Sequence, residues 1–291
     1  MRRALLAILI ASLLSTPASS SAQTPITRGW AAAPEVALRI WLPAGQVELE
    51  GWDRDSIDVS GSAARGASFF GGVGEGGRGG KLGVESLKRD DPALPSGTLR
   101  VRVPRRARVA IKMTEGRVTA VGTTGSLEVL TVTGEVVVRQ ASGSVTVETI
   151  DATVRISAMQ GALRVRNGGG VVTLTDVEGS MTLTTVGGNI TVEGPKVGDG
   201  RLETIGGSIT VRGALNPHAR LDLQSHDGSI TLVLDRAALP RLDLATRGGI
   251  VRNGLGLGDA RFGDIVGRSF KGGINVVAGS GIEGGKVTKN P

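Results

Sequence analysis

Three carboxylates recur in step along the second half of the chain. Glu203, Asp222 and Asp243 each stand two residues after an arginine (Arg201, Arg220 and Arg241) in the segments RLETI, RLDLQ and RLDLA. Rows of acids beside arginines are groups that a polysaccharide lyase or glycosidase gathers in a cleft for general acid and base work. Cross-strand charge pairing on a solvent-facing sheet produces the same alternation with no chemistry attached. Such an enzyme also needs aromatic sugar platforms and long loops, whereas this chain has three Trp, four Phe and no Tyr. Charge pairing is therefore the preferred reading, and no residue is assigned a catalytic role. Glu128, Glu148, Arg164 and Arg166 would similarly neighbour one another on the second sheet if a coil is eighteen residues long.

Other chemistries find less support. Two histidines, His218 and His226, and no cysteine leave too few soft ligands for zinc or another transition metal. Calcium-binding nonapeptide rolls need aspartate repeated at one slot. The corresponding slots here hold Val121, Leu130, Arg139, Glu148, Ser157, Arg166, Thr175, Thr184 and Glu193. The glycine-rich runs at 61–80 and 254–258 lack the Lys-Ser/Thr and the following helix that would cradle a phosphate. No metal and no cofactor is expected.

Trp41 and Trp52 are candidate ligand platforms, although packing over the end of a sheet explains them more simply. Phe69 and Phe70 sit in a glycine-rich stretch, 61–80, that reads as a flexible loop. They are either an interaction tip or a plug against the body, and the plug is preferred.

These residues need elements to hold them, and the chain supplies those by counting to nine. From Gly116 to Lys196 it divides into nine units of nine residues, with glycine first in all but the unit that starts at Ala152. The third and fifth slots are apolar in every unit, from Val118 and Ala120 to Ile190 and Val192. With 40% apolar residues overall, the chance of that is on the order of 10⁻⁷. Apolar residues two apart share one side of a strand, and Thr and Val suit a half-buried sheet. A lone unit cannot bury its apolar face, but stacked units can. The eighth slot (Val132, Ile150, Met159, Val177, Val186) is often apolar too and is expected to turn inward at the corner. GSITV at Gly207 recurs as GSITL at Gly228, then as GGIVRN around Gly249 and GGINVV around Gly273, alternating with RLETI, RLDLQ and RLDLA, so one coil holds two strands. The prediction is an all-β, parallel β-solenoid (β-helix) with two short strands per coil of about 18–21 residues.

Residues 1–22 read as a signal peptide, with Arg2 and Arg3, an apolar stretch and a small-residue cleavage site. Residues 23–97 read as an N-terminal β cap, 98–280 as solenoid repeats and 281–291 as a flexible tail. The net charge of +7 is spread out, apart from PRRAR at 104–108, and lacks the aromatic platforms of a nucleic-acid binder.

The tracts IWLPAGQVELEGWDRDSIDVSG and LRVRVPRRARVAIKMTEGRVTAVGTTGSLEVLTVTGEVVV, followed by GSVTV, GNITV and GSITV, resemble the bacterial "putative adhesin" domain family. The likeness spans residues 35–280. It implies a secreted glycine-repeat β-solenoid, related to the heads of autotransporter adhesins, with no known catalysis. The resulting expectation is an exported, non-enzymatic adhesin-like or scaffold domain, periplasmic or at the cell surface. The alternative is a carbohydrate-active enzyme on a β-helix. The partner expected is an envelope protein or a polysaccharide. Neither nucleic acid nor an integral membrane span is expected, and the solenoid ends offer a surface for oligomerisation.

Overall fold

Parallel strands stacked in register place like positions of successive coils over one another, so an apolar slot becomes an apolar column. The computed structural model, which describes residues 23–88 and 92–279, is built this way. The expected signal peptide and tail lie outside the described residues.

The chain enters through β1 (Thr24–Ala31) and makes a first coil of β2 (Ala37–Trp41) and β3 (Ala44–Trp52). It then leaves the stack for β4 (Ser56–Ala63) and β5 (Ala67–Val73), and returns as β6 (Gly79–Ser86) and β7 (Ser96–Pro104). Successive coils follow through β8 (Arg108–Lys112), β9 (Glu115–Val121), β10 (Ser126–Arg139), β11 (Ser142–Gly169) and β12 (Val172–Thr185). They continue through β13 (Ile190–Val197), β14 (Asp199–Thr204), β15 (Ile209–Leu215), β16 (Arg220–Ser225) and β17 (Ile230–Leu234). The last strands are β18 (Arg241–Thr246), β19 (Val251–Asn253), β20 (Asp264–Ser269) and β21 (Ile274–Ala278).

Two parallel faces result. The first runs through β6, β2, β8, the first half of β10 and onward to β14, β16 and β20; the second runs through β7, β3, β9 and onward to β13, β15, β17 and β21. Leu127 pairs with Val145 and Val154 with Val172, eighteen residues on; Ile190 pairs with Ile209, and Ile209 with Ile230, at the predicted longer spacings. The third and fifth slots fill one continuous core: Val118, Val129, Val138, Val147, Ile156, Val165, Leu174 and Leu183 are all fully or almost fully buried.

The eighth slot is a correction. Met159 (0% exposed) and Val177 turn inward, whereas Val132, Ile150 (64% exposed) and Val186 turn outward. The two corners of a coil differ, which explains the split. After the second face the seventh slot takes a left-handed backbone, at Gln140, Ala158 and Asp176, and the following residue swings into the core. After the first face the seventh slot points inward and is polar: Thr131, Thr149, Asn167, Thr185, and then Thr204, Ser225 and Ser269 in later coils. From Thr131 onward these coils close on a buried hydroxyl or amide, whereas the β2 and β8 coils have Leu42 and Met113 at this corner.

The stretch 61–80 is not a flexible loop. Residues 61–63 end β4, and 67–73 form β5, which pairs antiparallel with β6 from Ala67↔Ser86 to Val73↔Gly80. The expected cap contributes to the stack itself, because β2 and β3 lie between β6/β7 and β8/β9. Antiparallel β1, β4 and β5 then cover the edge, which protects it from strand addition.

The far end departs from sequence order. Ile274 pairs with both Ile230 and Val251, so β20 and β21 slot inside β18 and β19. Burial accounts for the exchange. Ile265, Ile274 and Val276 are almost fully buried, while β19 is exposed throughout, so the more apolar coil takes the inner place.

Candidate functional site

The outward side of β2 carries Ala37, Arg39 and Trp41 on alternate residues, while Leu38 and Ile40 face the core. On β6, Arg39 and Trp41 meet Lys81 and Gly83; on β8 they meet Ala110 and Lys112. Trp41 is 49% exposed, so it does not pack over the end of the stack as expected. Trp30, on β1, packs against the core instead.

Gly83 creates room beside Trp41. A Cβ there would lie 2.1 Å from the Trp41 carbonyl oxygen and 2.9 Å from Cζ of Phe70, which leans over the glycine from β5. Phe69 and Phe70 therefore divide the two roles considered for them. Phe69 packs against the core, and Phe70 lines an open depression of about 1000 Å³ with Arg39, Lys81, Glu85 and a floor of glycines. Trp41 does not line that depression; its exposed indole is a wall of a second one, of about 460 Å³, with Pro43, Met113, Val132 and Ile150.

Four cations stand near this wall, with Glu85 and Glu148 lining the two depressions. Arg39, Lys81, Arg108 and Lys112 all point out from β2, β6 and β8, and none has a carboxylate within 4 Å among the described residues. Elsewhere ion pairs are common: Arg100–Glu48 and Arg105–Asp53, at 2.8 and 2.7 Å, raise both arginine pKa values through the hydrogen bond to the acid. Glu135 is held between Arg117 and Arg155, and Arg212 reaches Glu193 at 3.2 Å.

The expected acid rows are not assembled. Leu202 pairs with Leu223, not Leu221, so the register is two residues away from the one that RLETI and RLDLQ suggest. Leu221 falls opposite Gly200, where the Met181 and Leu221 side chains from the two flanking strands fill the space of the missing side chain. Arg201 then lies opposite Asp222, and Glu203 opposite Gln224. Glu203 is bonded to Arg201 of its own strand. Asp222 and Asp243 flank Val266, and Asp264 lies between Arg220 and Arg241. The Arg268 guanidinium, 2.7 Å away, holds the Asp243 carboxyl below the usual carboxylate range, the opposite of what a general acid requires.

Glu148 and Arg166 do meet across one coil, at 3.0 Å. Trp52 is structural: its indole N–H donates to Ser56 O, and Arg54 and Arg102 lie over the ring. His226 stacks on Phe270 with centroids 4.7 Å apart, and His218 takes a left-handed corner.

The cation block was not foreseen. Alternation in LRIW, GGKLG and RVAIK already puts Arg39, Lys81, Arg108 and Lys112 outward, but their adjacency depends on the non-sequential order β6, β2, β8.

The model of the Toastrack DUF4097 family matches residues 46–239. The chain belongs to the Toastrack DUF4097 family. No curated protein matches it. Among solved structures, a Toastrack chain of this kind is similar to a "putative adhesin" from Bacteroides fragilis, at 13% identity and a TM-score of 0.39, over 88% of this chain and 99% of that one. A "putative cell adhesion protein" from Clostridium sporogenes matches at 10% identity and a TM-score of 0.25, covering 88% and 100%. A "Putative lipid binding protein" from Parabacteroides distasonis matches at 17% and 0.40, covering 87% and 97%. At such scores these overlays carry no argument about what this chain binds. No helix among the described residues is long and apolar enough to cross a membrane.

Proposed function

We propose that this Toastrack chain is an exported, non-enzymatic, adhesin-like binding module of the bacterial envelope. The observation that carries the reading is the exposed Trp41 wall with four unpaired cations around it, mounted on a stack whose other outward arginines are often neutralised by acids. A rigid scaffold that leaves one aromatic, charged surface uncovered is built to meet something else. Export rests on the character of residues 1–22. The salt-bridged state of Asp243 and the separation of Asp222 from it by Val266 argue against the carbohydrate-active enzyme.

Protease treatment of intact cells, beside permeabilised cells and a cytoplasmic marker, tests the location. Digestion in intact cells supports a surface adhesin, and digestion only after permeabilisation supports a periplasmic module. Protection in both, with the protein fractionating with the marker, would overturn the envelope reading.

A further inference from the structure

Two glycines in the first depression have no structural reason to be glycine. Gly83 is needed because the Trp41 backbone passes 2.1 Å from where its Cβ would stand, and Gly71 because Phe69 lies 2.8 Å from its own. At Gly72 a Cβ would meet nothing within 4 Å, and at Gly79 its nearest neighbour would be the Ala37 carbonyl oxygen at 4.0 Å. Neither has a left-handed backbone. Both occupy strands, β5 and β6, where glycine brings no side chain to pack. A strand glycine with free space above it marks a place for something outside the chain to approach.

What the depression would take follows from its walls. Phe70 within it, and the exposed Trp41 beside it on β2, offer two ring surfaces against which the apolar face of a sugar can lie. Arg39 and Lys81 stand between them and the glycine floor, and Arg108 and Lys112 extend the charge onto β8. Arginine suits a carboxylate, which it grips with paired N–H donors. One acid, Glu85, lines the depression and makes no ion pair among the described residues. A sheet of repeated coils presents these groups at about 4.8 Å per strand, a flat bed that suits an extended chain.

We infer that the depression lined by Phe70, Arg39 and Lys81, together with the exposed indole of Trp41 beside it on β2, is a subsite for an anionic polysaccharide, with a uronate carboxylate on Arg39 and Lys81 and a sugar ring of the same chain against the indole. This rests on the reading of the chain as an envelope-binding module and names the class of its ligand. A nucleic acid would use a longer file of aromatic platforms with cations tracking its backbone, and the first face has no such file.

The test uses the mature chain and measures binding to polygalacturonate, with neutral dextran, a single-stranded oligonucleotide and anionic lipid vesicles as comparisons, and isolated cell envelopes as a separate arm. Saturable, salt-sensitive binding to polygalacturonate alone is expected. Trp41→Ala and Arg39→Gln should each weaken it about tenfold or more, the scale of losing one charged hydrogen bond or stacking contact. Gly72→Thr should do the same by filling the floor, with an unfolding midpoint no lower than that of the parent. Arg164→Gln, further along the same face, should leave binding unchanged. Variants that all bind as tightly as the parent, or equal binding to the oligonucleotide or the vesicles, would overturn the subsite. If envelopes bind but polygalacturonate does not, the ligand class is wrong and the envelope module stands. If neither binds, both fail.

Discussion

Thr149 donates its hydroxyl hydrogen to the side-chain oxygen of Asn167 at 2.6 Å, one coil away, and Asn167 in turn donates to the carbonyl of Ala152 at 2.9 Å. Both residues are buried. Further along, Thr185 donates to the carbonyl of Gly188 and meets Thr204 at 2.9 Å, and Ser225 donates to Gly228. This polar column runs beside the apolar core and holds the corner of each of these coils against the next.

Asn167→Ala should therefore destabilise the protein, by about 1–3 kcal/mol, because the Thr149 hydroxyl and the Ala152 carbonyl would stay buried without a partner. Asn167→Thr copies the residue used in neighbouring coils and should cost less. Urea unfolding of the two variants beside the parent measures the difference. Equal losses would mean that the column is packing alone.

Val145 is 1% exposed and Thr146, its neighbour, faces outward. Val145→Asp buries an unpaired charge and should prevent folding or cost more than about 4 kcal/mol. Thr146→Asp should stay within about 0.5 kcal/mol of the parent. Circular dichroism and thermal melts of the pair check the inward and outward assignment.

The stacked glycines should be intolerant. A Cβ on Gly134, which has φ +121, would stand 1.9 Å from the Gly116 carbonyl oxygen of the preceding coil. Gly134→Ala should destabilise by several kcal/mol, whereas Ala158→Gly, which relieves a left-handed alanine at φ +52, should raise stability by at most about 1 kcal/mol. Opposite signs in the shift of melting temperature are the expected result.

Acid should loosen the end of the stack formed by the last coils. Hydrogen bonding to Arg268 lowers the Asp243 pKa, and hydrogen bonding to Lys271 lowers that of Asp227. A carboxyl whose folded pKa is depressed contributes stability above its unfolded value, near 4, and loses that contribution as pH falls through the folded one. Stability should thus be flat from neutral pH to about 5 and decline below about 4. Both groups are exposed, so the share is small and salt should shrink it further. Comparing Asp243→Asn and Asp227→Asn with the parent in acid-unfolding curves isolates it.

Much of this architecture was legible in the nine-residue count, because an apolar residue in every third and fifth slot admits only a stacked strand. The pairing of Glu148 with Arg166 followed directly from an eighteen-residue coil. The count could not tell the two corners apart. That distinction lies in the seventh slot, polar at Thr131, Thr149, Asn167 and Thr185 and left-handed at Gln140, Ala158 and Asp176. Nor could repeated motifs reveal order. GGIVRN and GGINVV look like successive coils, yet burial places the second inside the first. The candidate site was hidden for the same reason, since the neighbours of Trp41 come from a coil that the chain lays down later and on the outer side.

The central claim is that this chain binds an envelope polymer and does not transform it. The most direct measurement is sedimentation of the mature protein with isolated envelopes, with product analysis of the same samples. The account predicts saturable binding that weakens in Trp41→Ala and no released fragments. Fragments that disappear in Asp222→Asn or Asp243→Asn would contradict it and restore the enzyme.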